Sequence, residues 1–295
     1  MNSVILVSIE SGLIFSLLAI GVVMTFKILD IADLSVEGTF PFGAFVLTRL
    51  LITGLNPFIG TTLSFFAGCF AGFITYLLFK KVRIESILAG ILTMTLLYSV
   101  NLRITGKSNV TFFEFDTVFS LTEGIPKILF LGLIVLAIKL VIDWFLSTEQ
   151  GYLLLITGDN ESLVKALGKN PDIYTMIGLM LSNGLASLSG SLMAQYQGFT
   201  DITMGQTMIV TALASIIIGD AVLRHSKWLK LTTRAIIGAV VYRLVYGVAL
   251  HLGLEPNDLK GITAIIVILF IGYNNLSTVG LNKYRNRKEK RNATD

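Results

Sequence analysis

Thr157-Gly-Asp-Asn-Glu-Ser-Leu-Val-Lys-Ala-Leu-Gly-Lys-Asn-Pro171 is a polar island between two apolar runs, 126–147 and 172–197. A run of about 20 mostly apolar residues crosses the hydrocarbon core of a bilayer, so the alternation of run, island and run decides the fold class. Outward from the island the pattern repeats, giving about nine candidate spans on that length criterion. They fall near 4–26, 36–54, 59–79, 85–104, 126–147, 172–197, 205–222, 234–252 and 258–275. A mean hydropathy of +0.77 agrees, as do 54% hydrophobic and only 14% charged residues; charged residues make up about a quarter of a soluble domain. The expectation is an all-α, polytopic membrane protein in which one or two helices are re-entrant or broken. Its membrane domain covers 1–282, and a basic tail follows at 283–295.

Lys and Arg concentrate in alternate connections. One set holds Lys27, Lys80, Lys81, Arg83, Lys165, Lys169, Arg224, Lys227, Lys230, Arg234 and the tail from Lys283 to Arg291. The other holds Arg103, Lys107, Lys127 and Lys260 among more numerous acids. Positive loops stay cytoplasmic, so the N-terminus is expected outside, with the island and the C-terminus in the cytoplasm. The net charge of +4 therefore reports topology, and nucleic acid is not an expected partner. The basic tail has the composition to touch anionic lipid headgroups. The first run flows into Lys27-Ile-Leu-Asp without a small-residue cleavage site and is expected to stay as a helix.

Several chemistries find no residues. The single Cys69 allows no intrachain disulfide and no cysteine-rich metal site. The two histidines, His225 and His251, lie in a loop and at a helix end, far from the paired spacing of a zinc protease. Ile104-Thr-Gly-Lys-Ser108 has the tail of a phosphate-binding loop, but its first glycine would fall at Asn101. No metal, no catalytic residue and no nucleotide site are expected in this chain.

Three segments differ from plain lipid-facing anchors. Within 172–197, Gly178, Ser182, Ala186, Gly190 and Ala194 form a small-residue ladder that lets another backbone come close. Beside it runs a polar row of Asn183, Ser187, Ser191 and Gln195, which in a bilayer must face protein or water. This row reads either as hydrogen bonding between helices of one subunit or as a translocation path or dimer face. The 59–79 run repeats the ladder with Gly60, Ser64, Gly68 and Gly72. In 30–43, Asp33, Ser35 and Glu37 precede or open a span that contains Gly38, Pro41 and Gly43, residues that weaken a helix and free backbone groups. Asp33 or Ser35 is placed to cap that helix, and Asp33, Ser35, Glu37 and Pro41 also suit a pathway through a discontinuous helix. Lys139 and Asp143 lie four apart inside a span and pair directly; Arg243 is a further charge within a span.

In the island, Asp159 or Asn160 is a good N-cap, Glu161 follows it, and Leu163, Val164 and Leu167 make a short apolar face ended by Gly168 and Asn170-Pro171. A two-turn helix is not stable alone in water. It must pack on the membrane domain, on a partner, or on both.

From Tyr152 to Gly219 the chain resembles the permease subunits of bacterial ATP-binding-cassette importers for branched-chain amino acids and ribose-type sugars. The matching pieces are Thr157-Gly-Asp-Asn-Glu161, Leu167-Gly168-Lys-Asn170, Leu185-Ala-Ser-Leu-Ser-Gly190 and, earlier, Asp33-Leu-Ser-Val-Glu-Gly38. Ile31 to Gly38 is most similar to the tryptophan/tyrosine-type subgroup. The resemblance implies the helical fold of type II importers and a cytoplasmic coupling helix at about 159–168, with Leu163, Val164 and Leu167 facing a groove of an ATPase subunit. It also implies a second permease copy, an extracytoplasmic solute-binding protein, ATP and Mg held only by the partner ATPases, and residence in the bacterial inner membrane. The segment Asp220-Ala-Val-Leu-Arg-His-Ser-Lys-Trp228 departs from the sugar permeases, so gating residues are not carried over there. The alternative is a secondary transporter working without ATPases, for which Asp143 is the carboxylate placed deep enough to couple an ion.

Overall fold

A computed structural model describes residues 2–223 and 229–254, together with 261 and 265. In chain order the elements are α1 (Asn2–Val22), α2 (Val36–Ile52), α3 (Pro57–Tyr76), α4 (Ser86–Thr105), β1 (Asn109–Thr111), α5 (Lys127–Leu146), α6 (Glu149–Asp159), α7 (Glu161–Ala166), α8 (Pro171–Gln197), β2 (Phe199–Asp201), α9 (Met208–Val222) and α10 (Leu231–His251). α1 and α3 each run on into a wider π turn, Val23–Ile28 and Leu77–Lys81. Among the described residues, six helices are long and apolar enough to cross a membrane: Ser3–Ile28, Pro57–Lys81, Ser86–Thr105, Lys127–Leu146, Pro171–Gln197 and Leu231–His251.

Of the roughly nine expected runs, six are thus membrane-length helices among the described residues. The runs at 36–54 and 205–222 appear as shorter helices, α2 with 17 residues and α9 with 15. The run at 258–275, the tail at 283–295 and the loop residues 224–228 lie outside the described residues.

α8 is the central helix. It packs most extensively on α3 and α2, then on α1, because glycines at these contacts let backbones meet. Gly68 of α3 faces Ser187 and Asn183, Gly72 faces Leu179 and Met180, and Gly190 of α8 sits against the carbonyl of Phe40. Around this axis the largest apolar cluster joins Ile14, Leu17, Leu18 and Met24 of the first span to Phe40, Leu131, Leu154, Leu185 and Ile216.

The register of the chain against α8 explains why α2 is short. Leu29 packs on Gly178, Asp33 bonds to Asn183, the Phe40 backbone meets Gly190, and Thr48 Oγ1 lies 2.8 Å from Thr200 Oγ1. After the end of the first span the chain therefore turns back, at Asp30 with φ +54, and climbs beside the first half of α8 in non-helical form. Asn183 lies twelve residues beyond Pro171, about 18 Å along the axis at about 1.5 Å per residue. α2 thus starts near the middle of the bundle and runs to the end where β1 and β2 pair. The expected break is found at 29–35, ahead of the helix. Gly38, Pro41 and Gly43 do not interrupt α2, which continues through Pro41.

α9 is the counterpart. The backbone N–H groups of Thr207 and Ile209 face the Glu37 carboxylate, and Gly205 nests against the Glu37 carbonyl and the Pro41 ring. The far end of α9 packs on α10 by Gly219 against Arg234, and Asp220 bonds Lys27 at 2.8 Å. The N-termini of α2 and α9 thus meet at mid-depth, and the two helices run to opposite ends of the bundle.

Candidate functional site

Two constellations carry the residues singled out by the sequence, and they lie apart along α8. At its middle, Asp33 Oδ1 accepts from the Ser35 N–H at 2.9 Å and lies 2.5 Å from the Ser35 hydroxyl. Asp33 Oδ2 accepts from Asn183 Nδ2 at 2.8 Å. Asn183 Oδ1 accepts from Thr39 Oγ1 at 2.6 Å and lies 2.9 Å from Ser35 Oγ. All four side chains are buried. Asp33 thus holds the N–H of Ser35, the N-cap residue of α2, and the Ser35 side chain makes no cap bond of its own. A carboxylate at this N-terminus also meets the positive end of the helix dipole. Thr39 was not among the sequence candidates; its position four residues beyond Ser35, on the same helical face, is the signal that points to it.

The remaining polar row of α8 is used inside the subunit. Ser187 donates to the Ser64 carbonyl at 2.5 Å, Ser191 to the Leu188 carbonyl at 2.8 Å, and Gln195 Nε2 to Thr61 Oγ1 at 2.9 Å. Gln195 Oε1 accepts from the Val118 N–H at 2.8 Å. Of the two sequence readings, hydrogen bonding between helices fits this geometry. Asn183, Ser187, Ser191 and Gln195 are buried with partners inside the subunit, Ser191 within α8 itself, so this arrangement does not present them on a path or dimer face. Glu37 and Pro41 lie on the other side of α2 and line a cavity of about 320 Å³ that α4 closes.

The second constellation is the island. Asn160, in extended conformation, is the N-cap of α7 and accepts from the Leu163 N–H; Asp159 instead closes α6. Gly168, at φ +71, ends the turn in the left-handed region that favours glycine. Glu161 is tied to Lys80 at 2.7 Å, and the same Lys80 lies 3.9 Å from Asp172 at the start of α8. Val164 is fully buried, whereas Leu163 is 46% and Leu167 55% exposed. The expectation that all three apolar side chains face outward is corrected for Val164. A helix this short needs one apolar contact with the bundle to hold its place, and Val164 makes it. Lys80, absent from the sequence candidates, is marked only by its position in the basic end of a span.

Charges inside spans are largely neutralised. Lys139 bonds Asp143 at 2.6 Å, and Asp143 also accepts from Thr232 Oγ1 at 2.6 Å, tying α5 to α10. The Arg243 guanidinium stacks on the Phe15 ring, 3.6 Å from its centroid. At the end opposite α7, Asn109 Nδ2 bonds Asp201 across the β1–β2 pair, and Thr203 donates both its N–H and its hydroxyl to Asp201. Partial burial pushes the Asp201 carboxyl up, but these three bonds outweigh it and hold the group below the usual carboxylate range. A depressed carboxyl contributes stability above its unfolded value of about 3.9, lost as pH falls through the folded value. The protection factor of the Thr203 amide, its exchange relative to a free amide at the same pH, is therefore expected to hold from neutral pH down to about 4 and to fall below it; an unchanged protection at lower pH would contradict this.

The family described as "Branched-chain amino acid transport system / permease component" matches residues 4–272. Among individual relatives, the tyrosine transport system permease protein of Clostridioides difficile is 42% identical over 277 residues, covering 94% of this chain and 93% of the relative. An uncharacterized protein of Rickettsia prowazekii is 33% identical over 90% of this chain and 96% of its own length. A probable branched-chain amino acid transport permease of Methanocaldococcus jannaschii is 28% identical over 74% of each. No solved structure matches the chain.

Proposed function

The chain belongs to the family of branched-chain amino acid transport system permease components, and from that premise we propose that it is the membrane-spanning subunit of an ATP-driven amino-acid importer. The observation that carries the reading is α7: a six-residue helix anchored by Val164 and the Lys80–Glu161 pair, presenting Leu163 and Leu167 outward at one end of the bundle. Exposed leucines on an element that is too short to fold alone suit the groove of a partner ATPase. Asn160, Glu161 and Gly168 set the position and ends of that docking element, and Asp159 ends the helix that leads into it. The ATPases bind ATP and Mg; this chain does no hydrolysis. A second permease copy completes the path, and an extracytoplasmic binding protein delivers the solute at the opposite end, near β1 and β2. The protein sits in the bacterial inner membrane with its N-terminus outside and its C-terminus in the cytoplasm, as the positive charge of the α7 end supports. The name of the relative at 42% identity supports tyrosine, or a similar amino acid, as the solute.

ATP-driven closure of the ATPases displaces α7. The buried Val164 contact and the Lys80 bridge to Glu161 and Asp172 pass that displacement to the N-terminal ends of α8 and the C-terminal end of α3. Access then shifts between two states with different affinity for nucleotide-bound ATPase. The ATP-independent alternative loses its coupling group, because Asp143 is paired with Lys139 and bonded to Thr232.

The test is co-purification of the permease with its ATPase and uptake by the assembled complex. Leu163→Asp with Leu167→Asp is expected to release the ATPase and lower uptake by at least about tenfold, a loss of roughly 1.4 kcal/mol or more in coupling. The melting of the permease itself is expected to stay within about 0.5 kcal/mol of wild type, because both positions are exposed. Transport by the chain alone, driven by a proton or sodium gradient, overturns the proposal.

A further inference from the structure

We propose that the cavity between the first turn of α2, the second half of α4 and the 202–206 segment is a recognition subsite for a zwitterionic α-amino acid with an aromatic side chain. This rests on the reading of the chain as an amino-acid importer and places a solute contact within the permease itself. The cavity holds about 320 Å³, within the range of roughly 300–1,000 Å³ of small-molecule sites.

Asn101 is the leading observation. It lines this cavity with no exposed surface, and among the described residues neither its Nδ2 nor its Oδ1 has a hydrogen-bond partner. An amide buried without partners costs about 1–3 kcal/mol, and that cost is recovered when a ligand supplies both a donor and an acceptor. A zwitterion does so: its ammonium donates to Oδ1 and its carboxylate accepts from Nδ2. Glu37 lines the same cavity and supplies the negative charge for the ammonium. Among the described residues no Lys or Arg lines it, so a solute bearing a carboxylate alone meets Glu37 without a cation to offset the repulsion. The carboxylate of a zwitterion instead has Asn101 Nδ2 and the side-chain amide of Gln206, which lines the same cavity. Met94 and Tyr98 form the apolar wall, and a ring stacked on Tyr98 gains about 0.5–1.5 kcal/mol beyond its buried area.

The location agrees with a path. The cavity lies beside the mid-depth meeting of α2 and α9, where the non-helical segments 29–35 and 202–207 bring backbone groups into the bundle. Asn101 is the lone amide in the run at 85–104, and the subsite explains its presence there.

The experiment measures saturable binding of radiolabelled L-tyrosine to the full-length permease in nanodiscs, with uptake by the complete complex read in parallel. Wild type is expected to bind L-tyrosine and to bind 3-(4-hydroxyphenyl)propionate, which lacks the ammonium, at least about tenfold more weakly; L-leucine is expected to show a similar deficit. Glu37→Gln and Asn101→Leu are each expected to weaken L-tyrosine binding by about tenfold or more. Asn101→Leu is also expected to hold or raise the melting temperature, since it removes an unpaired buried amide. A purely structural asparagine predicts the opposite pair of results, a lower melting temperature with binding intact, and that outcome overturns the subsite. Absence of L-tyrosine binding by wild type overturns it as well. Binding intact with no ATP-driven uptake by the wild-type complex overturns the importer reading instead, and uptake with both variants unimpaired overturns the subsite alone.

Discussion

Gly190→Leu is expected to leave no folded permease in the membrane. A Cβ at position 190 would overlap the carbonyl oxygen of Phe40 and approach its carbonyl carbon and Cα at 2.7 and 3.2 Å. The obstruction is backbone, which has no rotamer to change, so α2 must move away from α8. That movement would also stretch the Asp33–Asn183 bond, which ties the segment ahead of α2 to α8, and the Thr48–Thr200 contact, which ties α2 to β2 just beyond α8. One added methyl in a close-packed contact costs about 1–3 kcal/mol. A leucine, with three more carbons in the same place, is expected to exceed the roughly 5–15 kcal/mol that holds a typical domain together. Gly190→Ala should fall between, with reduced yield and a lowered melting temperature. Gly132→Leu serves as the control: nothing lies within 4 Å of a Cβ there, and the substituted protein should accumulate normally. Size-exclusion profiles of detergent extracts read all three, and a monodisperse Gly190→Leu peak at wild-type yield would refute the argument.

This prediction shows where the sequence was legible. The four-residue repeat of small side chains from Gly178 to Ala194 requires close backbone approach whatever the neighbour is, so the role of α8 as a packing axis could be read from spacing alone. The cap and stop of α7 were equally local: Asn160 and Gly168 act within a few residues of themselves. What failed depends on partners distant in the chain. Whether Ser187 or Gln195 faces water or protein is settled by Ser64, Thr61 and Val118, and nothing in the polar row itself names them. The mid-depth start of α2 was hidden for a related reason. Run length marks where helix is affordable in lipid, not where along a neighbour it begins, and the register comes from Asp33 reaching Asn183. Val164 illustrates the smallest scale of this limit, since in a helix of under two turns the apolar face is too narrow to say which side chain turns inward.

Asn183→Leu is the second large effect, and its size comes from what it leaves behind. The substitution keeps the volume at the centre of α8 but removes the donor to Asp33 Oδ2 and the acceptor of Thr39 Oγ1. Hydrogen bonds to charged groups contribute about 1.5–3 kcal/mol, and a buried group left unpaired adds its desolvation cost. A loss of about 3–5 kcal/mol is therefore expected, in line with other buried charges deprived of one partner. Asp33→Leu should be similarly damaging, because the Ser35 N–H then loses its acceptor and Asn183 Nδ2 keeps only the Leu179 carbonyl at 3.1 Å. The decisive measurement is the double variant. If the two side chains form one unit, Asp33→Leu with Asn183→Leu removes both the stranded charge and the stranded amide, and it should be more stable than the sum of the single losses by about 1–3 kcal/mol. If the losses simply add, the network does not hold α2 at mid-depth. The same cycle read through L-tyrosine binding carries the argument to function. Glu37 lies two residues beyond Ser35 on the turn that this network fixes, so destabilised single variants that still fold should bind more weakly even though neither residue lines the cavity. The double variant should recover stability without recovering affinity, because an apolar pair no longer sets the α2 N-terminus against α8 at one depth.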